Sequence, residues 1–217
     1  MHRASAAEFL GCVLLTAAVV GSGIMGERLA DGNAAIALLA NTFATVAALF
    51  TLIAALGPIS GAHFNPLVTL TALWRRELPA TRSLAYVCVQ VLGCCAGAVL
   101  ANAMFELPLM QASSHLRTGA ARWLSEFVAT AGLVFVAFTA PNISAAAWRV
   151  AAWIGAAYWF TASTSFANPA ITLGRSLTDS FAGIRPTDAP GFIAAQLAGG
   201  LAGAALLRLF AQREVKS

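Results

Sequence analysis

Long apolar stretches, broken at intervals by one or two charges, set the pattern of this chain. Charge-free windows run over about 32–74, 83–105, 127–148, 150–174 and 189–207, and a further one at about 4–26 is interrupted by Glu8. Most are near the roughly 20 residues that a bilayer-spanning helix requires. The 32–74 window is too long for one crossing: if residues 34–57 cross, about fifteen apolar residues remain before Arg75, enough for a half-crossing. The pattern predicts an all-α membrane protein of six spans and at least one re-entrant piece. Composition agrees, since 59% of the 217 residues are hydrophobic, 10% are charged and the mean hydropathy is +0.76, beyond what a soluble domain needs.

His2 and Arg3 precede the first apolar run as in a secretory signal, but Glu8 lies inside it and no small-x-small site follows, so it is read as the first span. An odd-even assignment places Arg3, Arg75, Arg76, Arg82, Arg149, Arg208, Arg213 and Lys216 on one side, with Arg28, Arg117, Arg122, Arg175 and Arg185 on the other. The excess predicts both termini in the cytoplasm. The net charge of +4 reflects that anchoring and calls for no nucleic-acid partner. Cys12, Cys88, Cys94 and Cys95 all fall in predicted spans without metal-binding spacing, as small apolar helix residues do. With three histidines and no nucleophile–base pairing, HExxH or phosphate-binding loop, no enzyme, metal or cofactor is expected.

The chain also repeats itself. AEFLGCVLLTA (7–17) returns as SEFVATAGLVF (125–135), HFNPLVTL (63–70) as FANPAITL (166–173), and YVCVQVLGCCAGA (86–98) as FIAAQLAGGLAGA (192–204). The matches keep their order, dividing the single channel-like domain 1–217 into repeats at 1–110 and 111–217. Three spans per repeat force the copies to point oppositely, and inverted repeats place their solute site at the midplane, where broken helices meet. Asn65 and Asn168 suit N-cap positions, and Pro66 and Pro169 suit the first helical position, where a missing N–H costs nothing. Two short helices therefore start near the midplane with their N-termini facing. The preceding stretches, 59–63 and 163–167, should turn backbone carbonyls toward a water-filled lumen, lined by Gly61, Ala62, His63, Ser163 and Thr164. The converging positive dipole ends and the two Asn amides would favour an oxygen acceptor and repel cations.

The paired Asn-Pro boxes (Asn65-Pro66-Leu67 and Asn168-Pro169-Ala170), SGAHFNP, the AEF-like start of each half and the two Q-x-x-G-x-x-x-G helices resemble the aquaporin, or major intrinsic protein, family over essentially the whole chain. The resemblance implies six transmembrane helices and two re-entrant half-helices, passive flow of small uncharged solutes, and a homotetramer with one pore per subunit. It also implies that Glu8 and Glu126 support the half-helix loops by accepting their hydrogen bonds; the other reading is a proton-coupled carrier with these acids as its relay. His63 is either a hydrogen-bonded wall residue near the cytoplasmic vestibule or a pH gate. Leu67 replaces the usual Ala of the first box, which either repacks or narrows the midplane.

In this family a second constriction lies outside the boxes, and water-selective members carry Arg directly after the second box and often His on the fifth span. An ungapped count from Asn65 and Asn168 gives Thr45, Ala156, Ser165 and Ile171 as this selectivity filter; a slip of one turn on the second span would exchange Thr45 for Asn41. Ala and Ser leave volume and Ile removes a fixed cation, so the ring should be wide and weakly polar, with slight proton leakage. Arg175, one turn beyond Ile171 and about 6 Å further out, either pairs with Asp179 or a carbonyl group, or brings positive charge to the outer vestibule. The run FANPAITLGRSLTDSFAGI resembles a bacterial branch often found with arsenic-resistance functions, which implies a bacterial inner membrane and permeation by arsenite and related neutral arsenicals, then glycerol, then water. A general glycerol and water facilitator is the alternative.

Overall fold

A computed structural model describes residues 2–211 of the chain; Arg213 and Lys216, counted above among the cytoplasmic charges, lie outside them. Eight helices follow one another: α1 (His2–Leu29), α2 (Ala34–Ser60), α3 (Pro66–Trp74), α4 (Ala80–Met104), α5 (Ala120–Phe138), α6 (Ile143–Phe160), α7 (Pro169–Arg175) and α8 (Ala189–Ala211). Six are long and two, α3 and α7, are short. Five of the long ones are apolar and long enough to cross a membrane on length and composition alone; α6, carrying Arg149, packs against α2 and α5.

The repeat is visible in how these helices pair. In each half the first and last long helices pack tightly, α1 with α4 and α5 with α8, because glycines bring their backbones together. A Cβ on Gly93 or Gly97 would overlap the carbonyl oxygen of Phe9 or Val13, and one on Gly199 or Gly203 that of Phe127 or Ala131. Close approach through small residues is how helices associate where lipid offers no hydrophobic drive. The outward faces are apolar, with Phe43 and Leu201 about three-quarters exposed at 77% and 74%.

The short helices begin at the two boxes. Asn65 caps α3 by accepting from the Leu67 amide (2.9 Å), and Asn168 caps α7 by accepting from Ala170 (3.0 Å) and Ile171 (3.3 Å). Pro66 and Pro169 take the first helical position, as their missing N–H and fixed φ allow. The α3 and α7 helices touch. One boundary differs from the sequence expectation: α2 runs through Pro58 to Ser60 and ends on Gly61 in the left-handed region at φ 91°. The non-helical stretch is therefore 61–65 rather than 59–63. Pro58 withholds its N–H from the Ala54 carbonyl, a loss that membrane helices tolerate where neighbouring helices and local adjustment satisfy the freed group.

Candidate functional site

The stretches leading into the two boxes share an unusual backbone. Ala62 and Phe64 in the first half, and Ser165 and Ala167 in the second, hold φ between 48° and 49° although none is glycine. Each such residue costs about 1–2 kcal/mol, so the surroundings must enforce it. The enforcing group is a buried carboxylate behind each loop. Glu8 accepts from the amides of His63 (2.9 Å) and Phe64 (2.8 Å), from Ser60 Oγ (2.6 Å) and from Gln90 Nε2 (2.8 Å). Glu126 accepts from the amides of Phe166 (2.9 Å) and Ala167 (2.8 Å) and from Gln196 Nε2 (2.6 Å). Gln90 and Gln196 also donate to Thr69 and Thr172, both at 2.9 Å. The sequence repeat matched Gln90 with Gln196 and Thr69 with Thr172 without assigning them this work. With the loop N–H groups drawn backward, the carbonyl edge is left for the opposite side.

That opposite side is a cavity of about 500 Å³. One wall is apolar, built by Leu15, Val19, Leu49, Ile53, Leu133, Val150, Ile154 and Ile171. The other is a polar stripe of Gly61, Ala62, His63, Asn65, Ser165 and Asn168. The two Asn side chains are crossed: Asn65 Nδ2 donates to the Ala167 carbonyl (2.8 Å) and Asn168 Nδ2 to the Phe64 carbonyl (2.7 Å). Each amide uses one N–H this way and keeps a second for a solute. His63 lines the stripe with Nδ1 at 3.1 Å from Thr69 Oγ1 and its ring edge-on to Tyr86. Arg75 and Glu77, paired at 2.6 Å just past the end of α3, also line the cavity.

Several residues sit elsewhere than the sequence count placed them. Ala156 is exposed on the outer face of α6; Ile154 and Tyr158, one helical turn apart on the opposite face, line the cavity instead. The ungapped count failed because the six-helix register depends on the non-helical run between Phe160 and Asn168, which spacing cannot size. Thr45 does line the cavity, with Oγ1 at 3.3 Å from Tyr158 Oη. Asn41 does not: it is buried between α1 and α2, donating to the Val19 carbonyl (2.7 Å) and Ser22 Oγ (2.9 Å). Ser163 and Thr164 lie behind the lumen, where Ser163 Oγ accepts from the Ser165 amide at 3.1 Å; Ser165 and Phe166 form the wall. Leu67 does not narrow the midplane, because its side chain faces outward into a groove between α3 and α8 and packs on Gly200.

Arg175 is 2% exposed and forms part of the cavity wall. It makes no pair with Asp179, which accepts from Ser114 N (2.8 Å) and Oγ (2.9 Å). Its Nε donates to the Ala182 carbonyl, and its Cζ lies 3.3 Å from the centroid of the Phe166 ring. A second guanidinium arrives from the segment between α4 and α5, which runs alongside the α7–α8 connection through the Gln111–Leu177, Ser113–Ser176 and Arg185–His115 backbone bonds. This is Arg117, whose Cζ lies 5.2 Å from the same ring. Burial, and then the nearby Arg122, lower the Arg117 guanidinium to about 10, which leaves it charged at neutral pH. Spacing along the chain offered no sign that Arg117 would come here. Among the described residues, no group of three or more His, Cys, Asp or Glu is placed to hold a metal ion.

The sequence description of the major intrinsic protein family matches residues 1–143 and 139–217. The chain is 51% identical over 214 residues to the aquaglyceroporin AqpS of Rhizobium meliloti (strain 1021), covering 98% of this chain and 91% of that one. Over shorter stretches it is 41% identical to the lens fiber major intrinsic protein of Gallus gallus (44% of this chain, 35% of that one) and 36% identical to human aquaporin-1 (48% and 38%). The fold matches the crystal structure of the Plasmodium falciparum aquaglyceroporin with a TM-score of 0.73 at 19% identity, over 98% of this chain and 96% of that one. Matched from end to end, and folded as six long helices around two capped half-helices, the chain belongs to the major intrinsic protein family, whose members are channels and not enzymes.

Proposed function

We propose that the protein is a passive channel for small uncharged hydroxylated solutes: glycerol, neutral arsenous acid and water. The carrying observation is the two-sided cavity. A polyol presents carbon on one side and hydroxyl groups on the other, and the apolar wall from Leu15 to Ile171 facing the Asn65–Asn168 stripe suits both at once. The constriction we assign is Thr45, Tyr158, Ser165 and Ile171, with Ile171 standing where the family's water-selective members carry Arg. Arsenous acid has three hydroxyl groups and no charge near neutral pH, so the same donors and carbonyl acceptors would serve it. The kinship to a protein named an aquaglyceroporin over 98% of the chain supports the polyol reading; the arsenical reading rests on the resemblance of residues 166–184 to a bacterial branch often found with arsenic-resistance functions, with Ile171 in place of the filter Arg.

The cytoplasmic placement of both termini in a bacterial inner membrane belongs to the same proposal. It is supported by the contact of Arg208, near the end of α8, with Trp74, at the end of α3, at 3.8 Å, which gathers Arg75, Arg76 and Arg208 at one face. A homotetramer with one pore per subunit completes it. The test is stopped-flow light scattering of proteoliposomes after osmotic shock with glycerol, arsenous acid or an impermeant osmolyte, for wild type and Ile171→Arg. Rapid entry of glycerol and arsenous acid, suppressed by the substitution more than water is, supports the reading. Water entry alone, unchanged by the substitution, refutes it.

A further inference from the structure

The loss of the filter Arg to Ile171 leads the sequence to anticipate slight proton leakage, yet a buried guanidinium, Arg175, lines the cavity, and a second, half-buried one, Arg117, lies behind the wall on the same aromatic ring. We propose that Arg117 and Arg175, gathered on Phe166, together form the outer cation barrier of this pore. The inference rests on reading the cavity as the permeation path and deepens that reading by assigning its charge selectivity.

Arg175 reaches this place from the last turn of α7 and Arg117 from the α4–α5 connection, 58 residues earlier in the chain. Arg117 is fixed on all sides. Its Nε donates to the Gly183 carbonyl (2.6 Å), Nη2 to Phe181 (3.0 Å) and Nη1 to the Ser163 carbonyl and Thr164 Oγ1 (both 3.4 Å), while its own amide donates to Asp188 Oδ2 (2.8 Å). Arg175 is held by the Ala182 carbonyl and the Phe166 face, and no acceptor among the described residues takes its Nη protons, although the residue lines the lumen. Neither guanidinium is in an ion pair; the pairs present among the described residues are Arg75–Glu77 and Arg185–Asp188. Glu126, bonded to the Phe166 amide, offsets one of the two charges, and Asp179 and Asp188 are bonded to Ser114 and to Arg185 and the Arg117 amide.

Glu27 accepts from the Phe181 amide (3.1 Å) and, like these acids, does not line the cavity, so the charge presented to the lumen beside Ile171 is that of Arg175, with Arg117 behind it. Arg does not neutralise by losing its proton, and where water is scarce a fixed charge acts on a passing ion far more strongly than in bulk. The negative face of the Phe166 ring holds the groups in position without cancelling their charge. An uncharged solute feels no such barrier and can use the unspent Arg175 donors.

The test compares urea with guanidinium, nearly equal in size and shape and different in charge. Proteoliposomes holding the full chain are assayed for uptake of each, and for internal acidification under a proton gradient, with every flux normalised to osmotic water flux. Wild type should admit urea and exclude guanidinium and protons. Arg175→Gln and the Arg117→Gln/Arg175→Gln pair should raise both cation fluxes at least about tenfold, while Arg175→Lys should stay near wild type. Guanidinium entry at the urea rate in wild type overturns the proposal without recourse to any variant, as do Gln variants that still exclude cations or a Lys variant that leaks as Gln does. Failure of the channel reading looks different, since wild type would then pass no urea or glycerol at all.

Discussion

Replacing Glu126 by Gln tests whether the intramembrane acids hold the loops or move protons. The carboxylate takes the Phe166 amide on Oε1, and the Ala167 amide and Gln196 Nε2 on Oε2. A Gln side chain does best with its oxygen in the Oε2 position, which keeps two bonds and turns its NH₂ toward the Phe166 N–H. That donor is then buried against another donor, costing about 1–3 kcal/mol, and the two surviving bonds lose their charge assistance at about 1 kcal/mol each. The sum is about 3–5 kcal/mol, enough in a chain of this size to lower the melting temperature by roughly 10 °C or more. The loop before Asn168 would also lose the restraint that holds Ser165 and Ala167 at positive φ. Thermal unfolding of purified protein in detergent, followed by size-exclusion recovery, gives the stability; glycerol flux per recovered channel gives the function. A variant as stable as wild type that has lost its flux would refute the structural role and revive the proton-relay reading of a coupled carrier.

Three further outcomes follow from the packing. Ile154→Trp should obstruct glycerol flux while Ala156→Trp leaves it near wild type, because only the first side chain enters the cavity; equal effects in the flux assay would overturn the assigned face of α6. Leu67→Ala should destabilise by about 2 kcal/mol, the low end for a buried Leu because the groove over Gly200 is partly open, and should not speed glycerol entry. Gly199→Leu should abolish a monodisperse size-exclusion peak, since its side chain must occupy the space of the Phe127 carbonyl; normal recovery would contradict the tight α5–α8 packing.

Much of this protein was legible in its sequence because the signals are local or repeated. Helix length follows from the run of apolar residues, the half-helix starts follow from Asn-Pro at residues 65–66 and 168–169, and the inverted repeat shows itself wherever the two halves match. These depend on neighbours within a turn or on a fixed offset. What the tertiary structure alone decided are the contacts that such offsets cannot carry. Ala156 gave way to Ile154 and Tyr158 because the run before Asn168 folds with Thr164, Ser165 and Ala167 at φ 61°, 49° and 48°, a conformation that non-glycine residues do not advertise. Leu67 turned away from the lumen because Gly200 on α8 leaves room for it. Arg175 took a carbonyl and an aromatic face instead of Asp179, and Arg117 joined it across 58 residues. Which side chains share a wall is set by helix rotation and by long-range packing, and neither is written in any stretch of a few turns.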